Sequence, residues 1–532
     1  MYTEYVLRMI PKVLTQVDRD KHSLNYGDCD RNHWHLKTRD FSSAILQQTG
    51  LAMALLYTVD FEGNVFYQKA EVKEWAVATV YYWKSIQLKD GSFNEYYPHE
   101  HGFPPTAFSL YAMCEVYKRL EMCDANVLKA FKKTAKYLTK HIEPNAYNQE
   151  LASITALYSA YSILNEKWIL DGLNAKLDRI LKLQSEEGWF SEYGGADIGY
   201  LSVSLDMLAE YYWMSKDERV MEPLNRVVNF LQYFVHPDGT AGGEYASRNT
   251  IYFLPGGLQT MELLGNQSAA AMINLLYGDT EKPFYFLDAV DDRYFSHYLL
   301  HSFLRAIEKR KNRKSLIKEC LLPFQYEQEK FFPQAGLLTR TEKDKYIIIG
   351  GAKGGVCRVF RFGQACFEDY GYRVKLADGK VAATNWQRDD YSIEYKEGMI
   401  IISGRMNVVK QKVSTPIMHL GLRMVSAVIG NKIIGFLKNQ IILVNKQSDI
   451  CFERKITLEE DQIVIEDHIT SPLMVNLECA DSFSLRHVAS GKFFTLADIG
   501  NHSRMRYPKI QDIYIRRIFD YNTGEVKEEE IL

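Results

Sequence analysis

Residues 90–113 read DGSFNEYYPHEHGFPPTAFSLYAM. An acidic residue and a glycine are followed by Glu95-Tyr96, two histidines and an apolar run at helical spacing. The wording recurs: residues 187–212 read EGWFSEYGGADIGYLSVSLDMLAEYY and residues 238–264 read DGTAGGEYASRNTIYFLPGGLQTMELL. Each copy sets a turn signal, then a Glu-Tyr pair (Glu192-Tyr193, Glu244-Tyr245), then a helix-compatible segment. Helical hairpins repeated along a chain bury their faces by stacking side by side, and such a stack either runs on as a solenoid or closes into a ring. Equivalent loops of a ring share one mouth, so Glu95, Glu192 and Glu244 are expected to line one cleft. The competing reading makes Asp90-Gly91 and Asp238-Gly239 plain turns, with each glutamate supporting the first turn of the next helix through its dipole.

Working outward, the same period governs the chain up to about Lys314, as in VKEWAVATVYYWKSIQ (72–87), NVLKAFKKTAKYLTKH (126–141), QELASITALYSAYSIL (149–164), LNAKLDRILKLQ (173–184), RVMEPLNRVVNFLQYF (219–234) and DRYFSHYLLHSFLRAIEKRK (292–311). After LIKECLLPFQYEQEKFFPQAG (316–336) the pattern becomes β-branched and often alternating: KYIIIGG (345–351), GMIIISGRMNVV (398–409), KIIGFLKNQIILVN (432–445) and DQIVIEDHI (461–469). The expectation is a helical domain over 1–318 and an antiparallel β domain over 319–532.

The length of 532 residues, 46% hydrophobic and 25% charged, fits two large cores of a globular protein. Lys plus Arg number 64 and Asp plus Glu 67, a net charge of −3, so no global field draws the chain to nucleic acid or to an anionic membrane. The first residues, MYTEYVLRMIPKVLTQVDRDKHS, lack the pattern of a secretory signal, and no run has the apolar length of a membrane span. Eight cysteines without CxxC pairs read as reduced thiols, small buried hydrophobes of a cytoplasmic protein. The sequence leaves the oligomeric state open.

Several clusters carry candidate chemistry. YGDCDRNHWHLKTRDF (26–41) gathers Arg31, His33, Trp34 and His35 among alternating charges; an indole there suits a sugar face with Arg31 on its hydroxyls, and a helix start laced with ion pairs is the equal alternative. His33-x-His35 and His99-x-His101, with Cys29 near the former, lack the spacing of a standard zinc site, so neither a metal nor another cofactor is expected. His99 and His101 remain candidates for substrate contact, as does Tyr193. Asn148 and Gln149 open a helix and suit either capping or hydrogen bonding to a carboxylate. Arg248 offers a bidentate carboxylate clamp, with the Tyr252 phenol four residues on.

Helical repeats before a large β domain, with YNQELASITALYSAY (147–161), GGEYASRNTIYF (242–253), FERKITLEEDQIVIEDHIT (452–470) and SFSLRHVASGKFF (482–494), resemble the heparinase II/III and alginate-lyase superfamily. The resemblance implies an incomplete (α/α) toroid packed on an antiparallel β-sandwich, with a polysaccharide cleft between. It implies neutralisation of a uronate carboxylate, removal of the C5 proton by Tyr or His, and departure of the C4 oxygen. The family's Asn-His pair falls on Asn148-Gln149, where glutamine replaces histidine, and Tyr252 matches the catalytic tyrosine. The family's histidine early in the β domain should fall in IIIGGAKGGVCRVF (347–360), which contains none; His419 and His487 are then either β-domain contributors or buried structural residues.

Three functions follow from these residues. The first is C5 proton abstraction from a uronic-acid-containing glycan, by β-elimination or epimerisation, with Tyr252 moving the proton under the influence of Arg248 and with Arg248, Asn148 and Gln149 on the carboxylate. The second is glycoside hydrolysis by two of Glu95, Glu192 and Glu244, which needs carboxylates about 5–10 Å apart. The third is a non-catalytic glycan-binding protein of polysaccharide assembly.

Overall fold

Segments apolar on every side must be buried on every side, whereas segments with one apolar stripe can lie at a surface. The computed structural model, which describes residues 2–278, 287, 290–311, 318–409, 414–430, 446–480 and 506–531, sorts its helices by that rule. Helices α1 (Thr3–Leu14), α2 (Arg31–Trp34), α3 (Thr49–Thr58), α4 (Ala70–Ser85), α5 (Phe103–Arg119), α6 (Ala125–Lys140), α7 (Tyr147–Leu164) and α8 (Lys167–Leu181) are followed by α9 (Ile198–Ser215), α10 (Met221–Leu231), α11 (Pro255–Leu263), α12 (Gln267–Tyr277), α13 (Asp292–Tyr294) and α14 (Leu300–Lys311). Helix α3 is buried from Thr49 to Leu56, α5 from Pro105 to Tyr117 and α9 from Leu201 to Tyr212. Helices α6 and α10 bury one stripe, for example Val127, Phe131, Thr134 and Leu138 of α6.

The fully buried helices pack in a circuit. Helix α3 lies on α5, α5 on α7, α7 on α9, α9 on α11, α11 on α14, and α14 again on α3. The amphipathic helices back this circuit, α4 on α5, α6 on α7, α8 on α7, α10 on α9 and α12 on α11. The repeated phrases stand just before α5, α9 and α11, each at the N-terminus of a helix of the circuit.

Their glycines show why the wording recurs. Gly91 and Gly188 have φ of +96° and +104°, and a Cβ there would stand 2.4 Å from the Lys133 carbonyl oxygen on α6 and 2.2 Å from that of Arg226 on α10. Only glycine allows both the left-handed backbone and the close approach. Gly27, φ +91°, meets the Ala78 carbonyl of α4 in the same way at 2.3 Å, so a further loop shares the device outside the repeated wording.

Strands begin at β1 (Gln328–Phe332) and continue as β2 (Leu337–Glu342), β3 (Lys345–Gly350), β4 (Val356–Arg361) and β5 (Gln364–Asp369), an antiparallel sheet in that order. A second antiparallel sheet holds β6 (Tyr372–Lys375), β7 (Val381–Ala383), β8 (Ser392–Lys396), β9 (Met399–Val409), β10 (Gln447–Leu458), β11 (Gln462–Cys479), β12 (Arg506–Asp520) and β13 (Val526–Ile531). Strand β3 is buried on both faces: Tyr346 and Ile348 join the core of the helices, while Ile347 and Ile349 join a separate core with Ile400, Ile402 and Ile463 of the second sheet. A two-residue period thus serves two cores.

One helix, α15 (Pro416–Ile429), interrupts the strands between β9 and β10 where the sequence gives no such signal. His419 lies on it in solvent, Nε2 3.0 Å from Ser414 Oγ, so the buried structural reading of this residue is corrected. Residues 432–445, read as a strand, and residues 482–494 with His487 lie outside the described residues.

The junction of helices and strands is clasped by Glu187, the acid of the second phrase, whose carboxylate accepts hydrogen bonds from the backbone N–H groups of Gln334 (2.7 Å) and Ala335 (2.9 Å). The Tyr346 hydroxyl donates to the Tyr233 carbonyl, and Phe332 packs among Phe230, Tyr233 and Phe234.

Candidate functional site

The second and third phrases are stitched together. In the second, Tyr193 N–H donates to the Asn145 carbonyl (2.7 Å) and Tyr147 N–H to that of Ser191 (3.0 Å), which brings the start of α7 against the loop. The Asn148 Nδ2 donates to the Glu192 carboxylate, so two sequence candidates meet through one bond. From the third phrase, Ser247 donates its N–H to the Ala196 carbonyl (2.9 Å) and its hydroxyl to the Glu192 carbonyl (3.0 Å).

Asp197 organises the join. As N-cap of α9 it accepts from Tyr200 N–H (3.0 Å), and across the loop it accepts from Arg248 N–H (2.9 Å) and from the Thr250 hydroxyl. Burial pushes its carboxyl up, against the pull of these donors.

The Arg248 side chain is thereby laid over the rings of Tyr193 and Tyr200, at 4.7 and 5.7 Å from their centroids. It is only 7% exposed, and its Nε and Nη1 have no hydrogen-bond partner. Burial works against its charge, and Tyr200, Glu192, Tyr193 and Asp197 outweigh that and keep it firmly protonated. Asn148 Oδ1 and Gln149 Oε1 are likewise buried without a partner. A buried guanidinium with open donors is costly unless something anionic completes it.

Tyr252 is fully buried, edge-on to Tyr200 (5.8 Å), and receives the Tyr294 hydroxyl at 3.4 Å. Burial pushes its phenol well up, and Tyr294 and Tyr200 push it further. The reading of Tyr252 as a phenol lowered by Arg248 is therefore corrected, because the guanidinium lies over Tyr193 and Tyr200 instead. Tyr200 is half-buried; burial raises its phenol and Arg248 opposes that rise.

In the first phrase, the buried Glu100 carboxylate takes the N–H groups of Glu95 (2.6 Å) and Tyr96 (2.7 Å) and fixes the backbone that carries Glu95. Burial drives up the Tyr298 phenol, and Tyr294, Glu95, Tyr96 and Glu192 drive it further. Glu244 lies toward the strands, where its charge acts on the Tyr370 phenol beside Glu368.

Of the remaining candidates, His101, Trp34 and His33 are held in structural bonds. His101 Nδ1 sits 2.6 Å from Asp90 Oδ2 and 2.9 Å from Ser92 Oγ; burial alone would raise Asp90, and His101 and Ser92 bring it down to about 2. His99, left-handed at φ +60°, is exposed. Trp34 donates its indole N–H to the Gln16 carbonyl (2.7 Å), His33 Nδ1 is 2.7 Å from Asp28 Oδ2, and Asp30 takes Arg39 (3.3 Å). Arg31 stands half-buried in the same turn. The ion-pair description fits these contacts. Cys29 is buried, and burial raises its thiol far above the reactive range.

Sequence reasoning missed Asp197, Tyr200, Tyr294 and Lys353. Lys353, in the very segment read for an absent histidine, reaches across to Asn249 Oδ1 (2.8 Å) beside Arg248. Its signal lay in AKGG, a lysine between turn glycines.

No protein-family model matches the chain, and no curated protein does. Among solved structures the chain is similar to a Paenibacillus xanthan lyase, at 12% identity and TM-score 0.53 over 90% of this chain and 46% of that one. It is also similar to the chondroitin AC lyase of Streptomyces coelicolor A3, at 10% identity and TM-score 0.53 over 89% of this chain and 67% of that one. The chain thus spans less than half the length of the xanthan lyase. At such identities the likeness to these two lyases is one of fold alone.

Proposed function

We propose that the protein is a carbohydrate-active enzyme that abstracts the C5 proton of a uronic-acid residue in a glycan, by β-elimination or C5 epimerisation. The helical circuit reads as an (α/α) toroid over 1–318, closed by α14 on α3, and the two sheets read as a β-sandwich over 319–532. The cleft lies between them.

The observation that carries this reading is Arg248: a buried, protonated guanidinium with open donors, stacked on two tyrosines. A planar carboxylate matches its fork. A carboxylate on C6 paired there acidifies the adjacent C5–H. The acceptor for that proton is Glu95 or Glu192, the two carboxylates whose charge acts on the Tyr298 phenol. Phenols pushed up by burial hold their protons at neutral pH and suit donation, so Tyr200 returns a proton to the C4 oxygen as its bond to C4 breaks (elimination), or to C5 from the opposite face (epimerisation). Tyr252, behind Tyr200 and bonded to Tyr294, positions that ring.

The test follows unsaturated-uronate absorbance and solvent-deuterium incorporation at C5 on a panel of uronate glycans. Tyr200→Phe is expected to cut turnover on the order of 10²–10⁴-fold with glycan affinity retained, Arg248→Ala to weaken both, and Tyr252→Phe to cost less than Tyr200→Phe. An unaffected Tyr200→Phe enzyme rejects the mechanism. New reducing ends without absorbance or deuterium select the second reading, hydrolysis by Glu95 and Glu192.

A further inference from the structure

Two turns of the strand half are pressed onto the second and third repeated loops. Gly350, which ends β3 just before the turn at Gly351–Lys353, comes so close to the third loop that a Cβ on it would stand 2.7 Å from the Tyr245 carbonyl oxygen. Between β7 and β8, Gln387 lies over the second loop, where a Cβ on Gly195 would stand 2.7 Å from its Nε2. The Arg388 N–H donates to the Ala352 carbonyl (2.9 Å) and ties the two turns into one unit. From this unit Lys353, only 1% exposed, reaches the residue next to Arg248, with Nζ 2.8 Å from Asn249 Oδ1.

That bond fixes which way the Asn249 amide faces. An ammonium has donors and no acceptor, so it meets the amide oxygen, and the NH2 group is turned away from it. The backbone is held as firmly. The neighbours of Asn249 on both sides are anchored to Asp197, through the Arg248 N–H and the Thr250 hydroxyl, and Asn249 itself stands at φ +60°, a left-handed conformation that asparagine tolerates better than most residues. Asn249 is fully buried, yet its Nδ2 has no hydrogen-bond partner. Two consecutive buried residues, Arg248 and Asn249, therefore both hold open N–H donors. An unpaired buried donor is costly to a fold and useful to a site that receives an acceptor.

We propose that Asn249 is a further substrate-binding residue, its Nδ2 joining the Arg248 guanidinium on the uronate carboxylate, and that Lys353 is its positioning residue, sent from the strand half to hold the amide in the donating orientation. The inference rests on the glycan reading of the cleft. Asn249→Asp separates this role from a merely structural one. Aspartate tolerates the left-handed backbone and keeps an oxygen on Lys353, now as an ion pair, but it replaces the donor with an oxygen that repels a carboxylate. Thermal unfolding is expected to hold or rise, while affinity for free glucuronate and for uronate glycans, measured by calorimetry, falls roughly 10–100-fold. Lys353→Met releases the amide and is expected to weaken binding about tenfold. The Asn249→Ala, Lys353→Met double variant should bind no more weakly than Asn249→Ala alone, because without the amide the lysine has nothing to aim. Should Lys353→Met fail to fold, Asn249→Asp decides. Unchanged affinity in Asn249→Asp, or additive losses in the double variant, overturns the proposal and leaves the reaction standing where turnover is seen. Glucuronate binding that both single variants weaken, in a protein that turns over no uronate glycan, upholds the proposal and rejects the reaction. No binding of glucuronate or of any uronate glycan overturns both.

Discussion

Two buried arginine clusters, one in each half of the molecule, look alike in sequence and differ in their bonds. Between the sheets, Arg454 gives Nε to Asp467 (2.7 Å) and Nη1 to Asp369 (2.5 Å), Arg517 joins the same two carboxylates, and the Tyr372 hydroxyl completes Asp467 (2.9 Å). The charges there balance, two against two. In the helical half, Arg248 has tyrosine faces and a nearby carboxylate but leaves Nε and Nη1 unmatched. The first arrangement balances its charges, leaves Arg517 Nε open and serves the fold. The second leaves open the donors to which the proposed function assigns a carboxylate. Burial of an arginine therefore says little by itself, and the tally of its donors says a good deal.

The largest effect should come from breaking the balanced cluster. Asp467→Ala leaves two guanidinium groups and a phenol short of an acceptor, and denaturant unfolding should show a loss of about 3–5 kcal/mol. Wild-type stability in that variant would erase the distinction drawn here.

Acid should sharpen it in two stages. Burial holds His297 down at about 4, and burial likewise holds His236 and His301 well below the ordinary histidine range. Between about 6.5 and 4 the unfolded chain binds protons that the folded chain excludes, so stability falls as pH falls, by about 1.4 kcal/mol per pH unit for each such proton. For Asp369, burial would raise the carboxyl, but Arg454 and Arg517 outweigh it and bring it down to about 2. Its contribution is present above the unfolded value near 4 and is lost between about 4 and 2. Unfolding midpoints measured across pH should show both windows; a flat profile from neutrality to about pH 4 contradicts the buried histidines.

The smallest effect is expected at Arg248. Arg248→Met removes no side-chain hydrogen bond of the fold, so stability should change by no more than about 1 kcal/mol while glycan affinity, followed by calorimetry, drops. A large destabilisation with affinity intact would move Arg248 into the structural class.

The sequence carried the period switch and the repeated loops plainly, because helix burial and turn glycines depend on local spacing. It carried the pairing of Asn148 with Glu192 and the stitching of Ser247 to Glu192 not at all, since those bonds join residues 44 and 55 positions apart. The tyrosine beside Arg248 was mistaken for the same reason: Tyr252 is near in sequence, but the helix start at Asp197 brings Tyr200 nearer in space. Helix α15 was illegible because its apolar residues satisfy no core, so the rule that turns them inward does not apply.

The clasp at Glu187 has a bearing on how such a chain can drift. Its carboxylate holds main-chain amides at 334 and 335, and the Tyr346 phenol holds a main-chain carbonyl at 233. Any residue but proline supplies those amides, and any residue supplies that carbonyl. Each of these bonds is thus written into one side chain, on the helical bank at Glu187 and on the strand bank at Tyr346, and the main-chain partner facing it can exchange its letter without loss of that bond.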